Sequence, residues 1–510
     1  MLEQLKTRPF SGGLRLRPFK ALSTTVPMNK LPMPEQLVIP MAQHAGPPAA
    51  PTVSTGDHVT CGQMIGRAAD PGSVAVHASG SGIVTGIDQR LVPAGSGLIR
   101  SLCAIIATDP PERQPESPQC LDWPEDVSAQ LEAIRDAGMT GLGGAAFPTA
   151  TKLGSERRCE ILILNGAECE PYISCDDMLM REHAASVLQG AAIMLELLQA
   201  ERCIVAIERD KSMALEAITA AAQTQGDNRV IVVAVPTVYP AGGERQLVES
   251  LLGVEVPSGR YPIDIGVVCQ NVGTAHALAE LATAGRPLVT RIVTMTGHGL
   301  LEPQNVEAPI GAPISNLIAH CGGLTPDAAQ LILGGNMMGY ALPSDDFPVT
   351  KSTNCVIALG SSEAWMGGEE WPCIRCGECA SACPARLLPQ ELLLAGRADR
   401  FEAMQTLGLE DCIECGCCDL VCPSHIPLTS RLRTMKTKLA SYREHEAIAA
   451  AAQTRYAEHI AREDRAAAEE RKRRTELTAR LDGDDTSRRT AIEAAIARAN
   501  TRRKRREDME

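Results

Sequence analysis

The chain has 510 residues, 44% of them hydrophobic and 22% charged, with a net charge of −13, enough length for three or more domains with separate cores. The acidic balance excludes nucleic acid as the main partner, because neutralising phosphates needs a basic surface, and aromatics at 3% leave little stacking platform for single strands. No apolar run approaches a membrane span, and the opening MLEQLKTRPF lacks the apolar core of a signal peptide, so a cytoplasmic protein that can dock on a membrane complex is expected. The nineteen Cys suit such a reducing compartment. Ten of them lie outside one dense segment, and most of these read as buried small hydrophobes.

Residues 1–115 are rich in Pro and Gly with short strand-like runs, notably Gly56–Gly66 and Val76–Ile87, which predict a small barrel or sandwich. The two runs resemble the half-motifs of a barrel-sandwich hybrid, the fold of biotinyl and lipoyl domains. Those domains carry a modifiable Lys on the turn between the halves. The corresponding turn, Asp70-Pro71-Gly72-Ser73, has none, so a structural or docking role is expected rather than a swinging arm.

Pro110–Pro124 reads as a linker. Beyond it the apolar period alternates: helix Asp126–Ala137, strand Ile161–Leu164, helix Arg181–Ala200, strand Cys203–Ile207, helix Met213–Gln223 and strand Val230–Val235. Such alternation predicts a mainly parallel sheet with ligands at the carboxyl ends of its strands. Two stretches here carry chemistry. Gly138-Met139-Thr140-Gly141-Leu142-Gly143-Gly144-Ala145-Ala146-Phe147-Pro148-Thr149, with Lys152 after it, lets the backbone approach a ligand closely and adds a positive charge. It is neither the dinucleotide fingerprint nor a P-loop, and alone it reads equally as a tight turn. Asn165-Gly166-Ala167-Glu168-Cys169-Glu170-Pro171 puts polar groups at a strand's carboxyl end, suited to a ring system or a ribose, or simply to a solvated turn.

Residues 287–360 open with the β-rich Leu288–Thr296, pass through helix-like Ile314–His320, and contain Gly334–Gly339, read as a structural turn. Then comes Cys373-x2-Cys376-x2-Cys379-x3-Cys383-Pro384 and, after a spacer, Cys412-x2-Cys415-x2-Cys418-x3-Cys422-Pro423. Each half is the bacterial ferredoxin run for a [4Fe–4S] cluster, in which the fourth Cys serves the other cluster. The expected ligand sets are Cys373, Cys376, Cys379 and Cys422 for one, and Cys412, Cys415, Cys418 and Cys383 for the other. Zinc ribbons also use CxxC, but they need two separated pairs. Cys417 is extra to the pattern, and His425 reads as structural because eight Cys complete two clusters. Helical periodicity over Leu387–Ala398 and Phe401–Leu407 predicts a helical module. Residues 430–510, rich in Ala, Arg and Glu and ending in the basic block Thr501–Arg506, read as a solvated helix, with attraction to anionic headgroups as the alternative.

Together, GLGGAAFPTATK and NGAECEP resemble the flavin- and NADH-binding subunit of respiratory complex I, as do Tyr239-Pro240-Ala241-Gly242-Gly243-Glu244 and Gln270-Asn271-Val272-Gly273-Thr274. The resemblance implies that Gly141, Gly143, Lys152, Asn165, Asn271 and Thr274 hold FMN, that Gly144 and Gly242 belong to the same cofactor-binding set, and that Phe147, Glu168, Glu170 and Glu244 lie on the nicotinamide side. The chain departs from that family at Ala167 (an Asp there), at Gly243 (a Glu), and at Ser155, where the family has a second aromatic. The domain order, with the sandwich ahead of the clusters, resembles the C-subunit family of the Rnf electron-transport complex. Cobalamin reductases of propanediol utilisation share these modules but place the sandwich after the clusters.

The expected architecture is multidomain α/β plus β. It comprises a barrel-sandwich hybrid (1–115), a Rossmann-like α/β domain for FMN and NADH (120–286), a soluble-ligand-binding β-grasp domain (287–362), a helical double [4Fe–4S] ferredoxin-like module (363–432) and a charged helical tail (433–510). The resemblance implies an ion-translocating ferredoxin:NAD oxidoreductase with this chain as its NADH-facing subunit. It would carry non-covalent FMN and two [4Fe–4S] clusters, use NAD(H) as substrate, exchange electrons with the iron–sulfur B subunit of that complex, and lie peripherally on the cytoplasmic face of the inner membrane. A soluble flavin and iron–sulfur NADH reductase of a cobalamin-type acceptor is the rival reading.

Overall fold

A computed structural model describes residues 7–95, 97–115, 117–118, 120–364 and 368–507. The first six residues of the opening segment, and the Arg506 side chain of the basic block, lie outside the described residues. The chain divides into two compact units, 1–434 and 435–510.

In the first unit, the strands Gln36–Pro40, Gly97–Thr108, Gly82–Ala94 and His58–Val59 form an antiparallel sheet in that order, and Ala50–Pro51, Met64–Arg67 and Val76–His77 form a second. Alternate residues such as Leu37, Ile39, Val84, Ala104 and Ile106 point inward and are buried, as a half-buried sheet requires. The same core contains Val293, Met295, Val306, Val349 and Val356 from the 290–360 region. The sandwich and the β-grasp region therefore share one core. Lys351 pins the junction. Its buried Nζ donates to Ala75 O at 2.9 Å and to Gly138 O at 2.7 Å, and burial pulls its pKa down to about 7. The segment before Gln36 runs elsewhere: Asn29–Lys30 pairs in parallel with Gln304–Pro309 at the edge of a six-stranded sheet.

The strands Val230–Val235, Arg202–Glu208, Ile161–Gly166 and Val267–Asn271, in that order, form a wholly parallel sheet. Leu162 and Leu164 face the helices Ala184–Leu198 and Val272–Ala284, while Ile163 faces the helix Glu244–Leu252. Burial on both faces explains why these strands read as continuous apolar runs. The expected helix at 126–137 is Val127–Asp136, capped by the Asp126 carboxylate accepting from Ala129 N. The helix expected over Arg181–Ala200 is instead two, Cys175–Glu182 and Ala184–Leu198, broken at His183. The apolar period runs unbroken across that residue, so the pattern could not mark the break.

The cysteine segment carries the helices Glu378–Ser381, Pro389–Arg397, Phe401–Thr406 and Cys417–Leu420. In the second unit the chain is helical to Glu507, part of the helix Leu428–Glu507, and most of its side chains are exposed. Among the described residues no helix is long and apolar enough to cross a membrane.

One glycine controls a close helix crossing. A Cβ on Gly190 would collide with the Ala275 carbonyl of the facing helix. We expect Gly190→Ala to cost roughly 1–3 kcal/mol by overpacking, read as a lowered melting temperature; an unchanged melt would contradict this crossing.

Candidate functional site

In the parallel sheet the chain moves from Ile161–Gly166 to one side for two strands and returns on the other side as Val267–Asn271. That reversal is the switch point at which open α/β sheets bind ligands. The residues facing each other there are Asn165 and Asn271, which are register partners. Asn271 caps the helix Val272–Ala284, its Oδ1 accepting from Gly273 N at 2.8 Å. Its Nδ2 donates to Asp176 Oδ2 at 2.6 Å. Asn165 Nδ2 donates to Gly242 O at 2.8 Å, tying the 242–244 turn to the same point.

The glycine loop crosses this switch point. Gly141 N donates to Phe147 O at 2.7 Å, closing the loop on itself. Leu142 N donates to the buried Thr274 Oγ1 at 2.9 Å, and Arg291 donates to Leu142 O. A Cβ on Gly143 would lie 3.3 Å from Asn271 Cβ, and Gly144 takes φ +105°, a conformation that disfavours any side chain. Lys152 Nζ lies 2.5 Å from Glu244 Oε1, and Phe147 is half exposed at the loop's far end. The structure thus gathers Gly141, Gly143, Gly144, Phe147, Lys152, Asn165, Gly242, Glu244, Asn271 and Thr274 around one end of the sheet. Buried Thr149 Oγ1 and Glu168 Oε2 have no hydrogen-bond partner among the described residues. A backbone cradle with orphaned polar atoms and a nearby ammonium fits a flat, phosphate-bearing cofactor such as FMN.

Two further residues of the 165–171 turn are held by partners of their own. The Glu168 carboxylate accepts from Asp176 N at 2.9 Å and lies 3.7 Å from Lys20 Nζ. Glu170 accepts from Met337 N at 3.3 Å and Met338 N at 2.9 Å in the 334–339 turn. Burial raises its pKa to about 7, against those two N–H groups, which lower it. Sequence reasoning missed Lys20, Lys211 and Asp176, and gave Tyr239 no role beyond opening the 239–244 stretch. Lys20 Nζ donates to Glu168 O at 2.6 Å, to Glu170 O at 3.0 Å and to Ile173 O. Lys211 Nζ donates to Glu168 O at 3.2 Å and to Glu208. Burial works against the Lys211 charge, but Glu208, then Glu168 and Asp210, hold it above its ordinary pKa. No motif surrounds the two lysines or Asp176, and only their partners reveal them.

The cysteines surround two small cavities of equal size, about 20 Å³ each. Cys373, Cys376, Cys379 and Cys422 line one, with Ile374, Ile426 and Leu428. Cys383, Cys412, Cys415 and Cys418 line the other, with Leu387, Ile413 and Leu432. The backbone repeats with the sequence: Arg375 and Gly377 in one run, and Glu414 and Gly416 in the other, all have positive φ, as do Arg386 and His425. Turns of this kind aim backbone N–H groups into a concavity suited to anions and iron–sulfur sites. The four expected thiolate donors around each cavity suit a cubane cluster, and Cys417 lines the second cavity as a fifth sulfur. Cys417 is fully buried and packs with Tyr239, Ala382 and Cys415.

The environments of the two sets differ. Cys373 and Cys376 are exposed, beside exposed Trp371 and Ile374. Cys415 and Cys418 are buried. The buried set abuts the sheet domain, where Tyr239 Oη donates to Cys415 O at 2.6 Å. The N-terminal segment threads the same seam, with Gly13 N donating to Ala382 O and Leu14 N to Tyr239 O.

Residues 134–280 match the family model of the Nuo51 FMN-binding domain, and residues 8–110 that of the RnfC barrel sandwich hybrid domain. Residues 292–341 match the SLBB domain, and residues 372–426 the 4Fe-4S dicluster domain. The chain is similar to the C subunit of the ion-translocating oxidoreductase complex of Pseudomonas aeruginosa, at 44% identity over 90% of this chain and 60% of that one. It is also similar to the protein of that name from Serratia proteamaculans, at 40% identity over 97% and 69%. It thus spans about 60 to 69% of the length of these relatives. Among solved structures, that of the air-oxidized NAD+-reducing [NiFe]-hydrogenase covers 60% of each chain at 20% identity with a TM-score of 0.45.

Removing Lys152 isolates the loop's contribution. Lys152→Ala should weaken FMN binding by about tenfold or more, the worth of one charge-assisted hydrogen bond, and leave iron content unchanged. Equal loss of iron and flavin would make the loop a structural element only.

Proposed function

The chain belongs to the C-subunit family of ion-translocating oxidoreductase complexes, and on that premise we propose that it is the NADH-facing subunit of a membrane-bound, ion-translocating ferredoxin:NAD oxidoreductase. When bound, FMN exchanges a hydride's two electrons with the nicotinamide and passes electrons one at a time to iron–sulfur clusters. The chain's own part is to hold the groups in order. Gly141, Gly143, Gly144, Lys152, Asn165, Gly242, Asn271 and Thr274 would bind FMN. Phe147, Glu168 and Glu244 would face NAD(H). Glu170 is reassigned: its carboxylate is committed to the Met337 and Met338 amides, so it braces the 334–339 turn against the flavin site.

The observation that carries this reading is the Tyr239–Cys415 hydrogen bond, because it joins the turn bearing Gly242 and Glu244 to one cysteine set and not the other. The set of Cys383, Cys412, Cys415 and Cys418 would therefore hold the inner cluster. Cys373, Cys376, Cys379 and Cys422 would hold the outer one, whose exposed rim of Trp371 and Ile374 suits docking of a redox partner. Within the complex that partner would be the iron–sulfur B subunit, with this chain bound peripherally on the cytoplasmic face. The five domain spans expected from the sequence are proposed here with one change, the segment before Gln36 acting as a strap across the others.

Anaerobically purified protein should contain about eight irons and one FMN per chain; absence of flavin would overturn the reading. The order of the clusters has its own test by paramagnetic resonance. Cys376→Ser should leave the inner cluster reducible by NADH, while Cys415→Ser should leave an outer cluster that dithionite reduces and NADH does not. The opposite pattern would reverse the order.

A further inference from the structure

Hydride exchange moves two electrons and one proton, whereas a cluster relay moves electrons only. Each turnover therefore leaves one proton to be carried between the flavin site and solvent by this chain's own groups. This requirement rests on the function proposed above.

Behind the glycine loop lies a cavity of about 510 Å³. Its inner wall includes Leu142, Asp176 and Gly273, the reverse side of the loop and of the Asn271 turn. Lys30, His183 and Glu280 line it as well, and Lys30 and His183 are exposed to solvent. We propose that this cavity is the proton port of the flavin site, with the Asp176 carboxyl as the proton carrier at its inner end.

The geometry supports this placement. Oxygens of the Asp176 and Glu168 carboxylates, with Cys175 Sγ, lie within 4.8 Å of one another. Asp176 N donates to Glu168 Oε1, Asn271 Nδ2 donates to Asp176 Oδ2, and Glu168 Oε2 is buried with no hydrogen-bond partner among the described residues. The neighbouring Glu168 carboxylate, largely out of water, disfavours a second negative charge on Asp176. The surrounding charges come from several elements: Lys20 on the N-terminal segment, Lys211 before the helix Ser212–Gln225, and Arg291 on the strand Thr290–Thr296. Burial first, then the Glu168 charge, raise Asp176 to about 7, while Asn271, Arg291 and Lys211 pull it down. A raised carboxyl holds its proton below that pH and gives it up more readily above it. Proton exit should therefore speed up as pH rises through about 7, and proton entry should slow.

The proton balance is simple. NADH delivers a hydride and becomes NAD+; two electrons leave singly for the clusters; the remaining proton passes to Asp176 and then, through the cavity, to water.

The test uses the full chain with flavin and clusters loaded, mixed anaerobically with NADH and a pH-indicator dye. In wild type, proton release should keep pace with cluster reduction. In Ala277→Phe, which narrows the cavity wall, release should lag cluster reduction by about tenfold or more at unchanged flavin content. Asp176→Asn should show the same lag, and a protonated-carboxyl infrared band of the wild type, titrating near pH 7, should be absent from it. If Asp176→Asn loses flavin, the infrared band and Ala277→Phe decide. Release in step with electrons in Ala277→Phe, survival of the band in Asp176→Asn, or a stoichiometric non-iron cation held by the pair would each overturn the port. Wild type that lacks flavin or is not bleached by NADH would overturn the proposed function, and the port with it. Wild type that passes while Ala277→Phe releases its proton in step would overturn the port alone.

Discussion

The candidate cofactor site depends on two buried ammonium groups beneath an irregular turn. After the strand Ile161–Gly166 the backbone leaves its ladder, and its carbonyls sit where water is scarce. An unpaired buried carbonyl costs free energy comparable to a lost hydrogen bond, so a turn of this shape requires donors. Lys20 supplies three to Glu168 O, Glu170 O and Ile173 O, and Lys211 supplies another to Glu168 O. Lys20 is brought by the N-terminal strap and Lys211 by the end of the next strand. Their charges are compensated by Glu168 and Glu208. Breaking a buried pair of this kind leaves an uncompensated charge, which is why such groups fail together rather than singly.

The same logic links the modules. The strap that delivers Lys20 also donates a hydrogen bond to Ala382 O beside the cysteine cavities and adds the edge strand Asn29–Lys30 to the six-stranded sheet. Glu170 reaches from the cofactor turn into the 334–339 turn, and a Cβ on Gly335 would collide with its carboxylate. The Met337 carbonyl in turn lies 2.8 Å from where Gly416 would carry a Cβ. A continuous packed path therefore runs from the switch point through Glu170 and Met337 to the buried cysteine set. Motion between modules would break the Glu170 hydrogen bonds to Met337 and Met338 and the packing of Met337 on Gly416, which holds the modules at one spacing.

What the sequence made legible was what is local. The cysteine runs are ligand sets written at spacings of two and three residues, and the cavities group the same residues. The glycine loop and the Asn165 turn were legible through family resemblance, since periodicity alone left them as turns. Lys20, Tyr239 and Asp176 were illegible because their meaning lies in partners far along the chain; Lys20 and Glu168 are 148 residues apart. The shared core of sandwich and β-grasp region was hidden for the same reason, because each strand's alternation shows that a face is buried but not against what. The departures from the family acquire a physical reading too. Ala167 is buried in the apolar cluster with Ile204, Val235 and Leu247, a place where an unpaired Asp would be costly. Gly243 has Gln246 Oε1 so close that a side chain there would displace it.

Two cysteine runs of identical spacing need not hold clusters of equal potential, because potential follows burial, hydrogen bonding and local charge rather than ligand identity. The buried set sits among Leu387, Ile413, Leu432 and Cys417, next to the Tyr239 ring. The exposed set has Cys373 and Cys376 at the surface with Arg375 between them. Burial disfavours adding negative charge, so by this term alone the inner cluster is the harder to reduce. Exposure and the Arg375 charge favour reduction at the outer cluster. With the clusters ordered as proposed, electrons would pass outward from the harder-to-reduce inner cluster to the outer one, and a complex that drives them toward NAD would have to supply the difference from its partner's side.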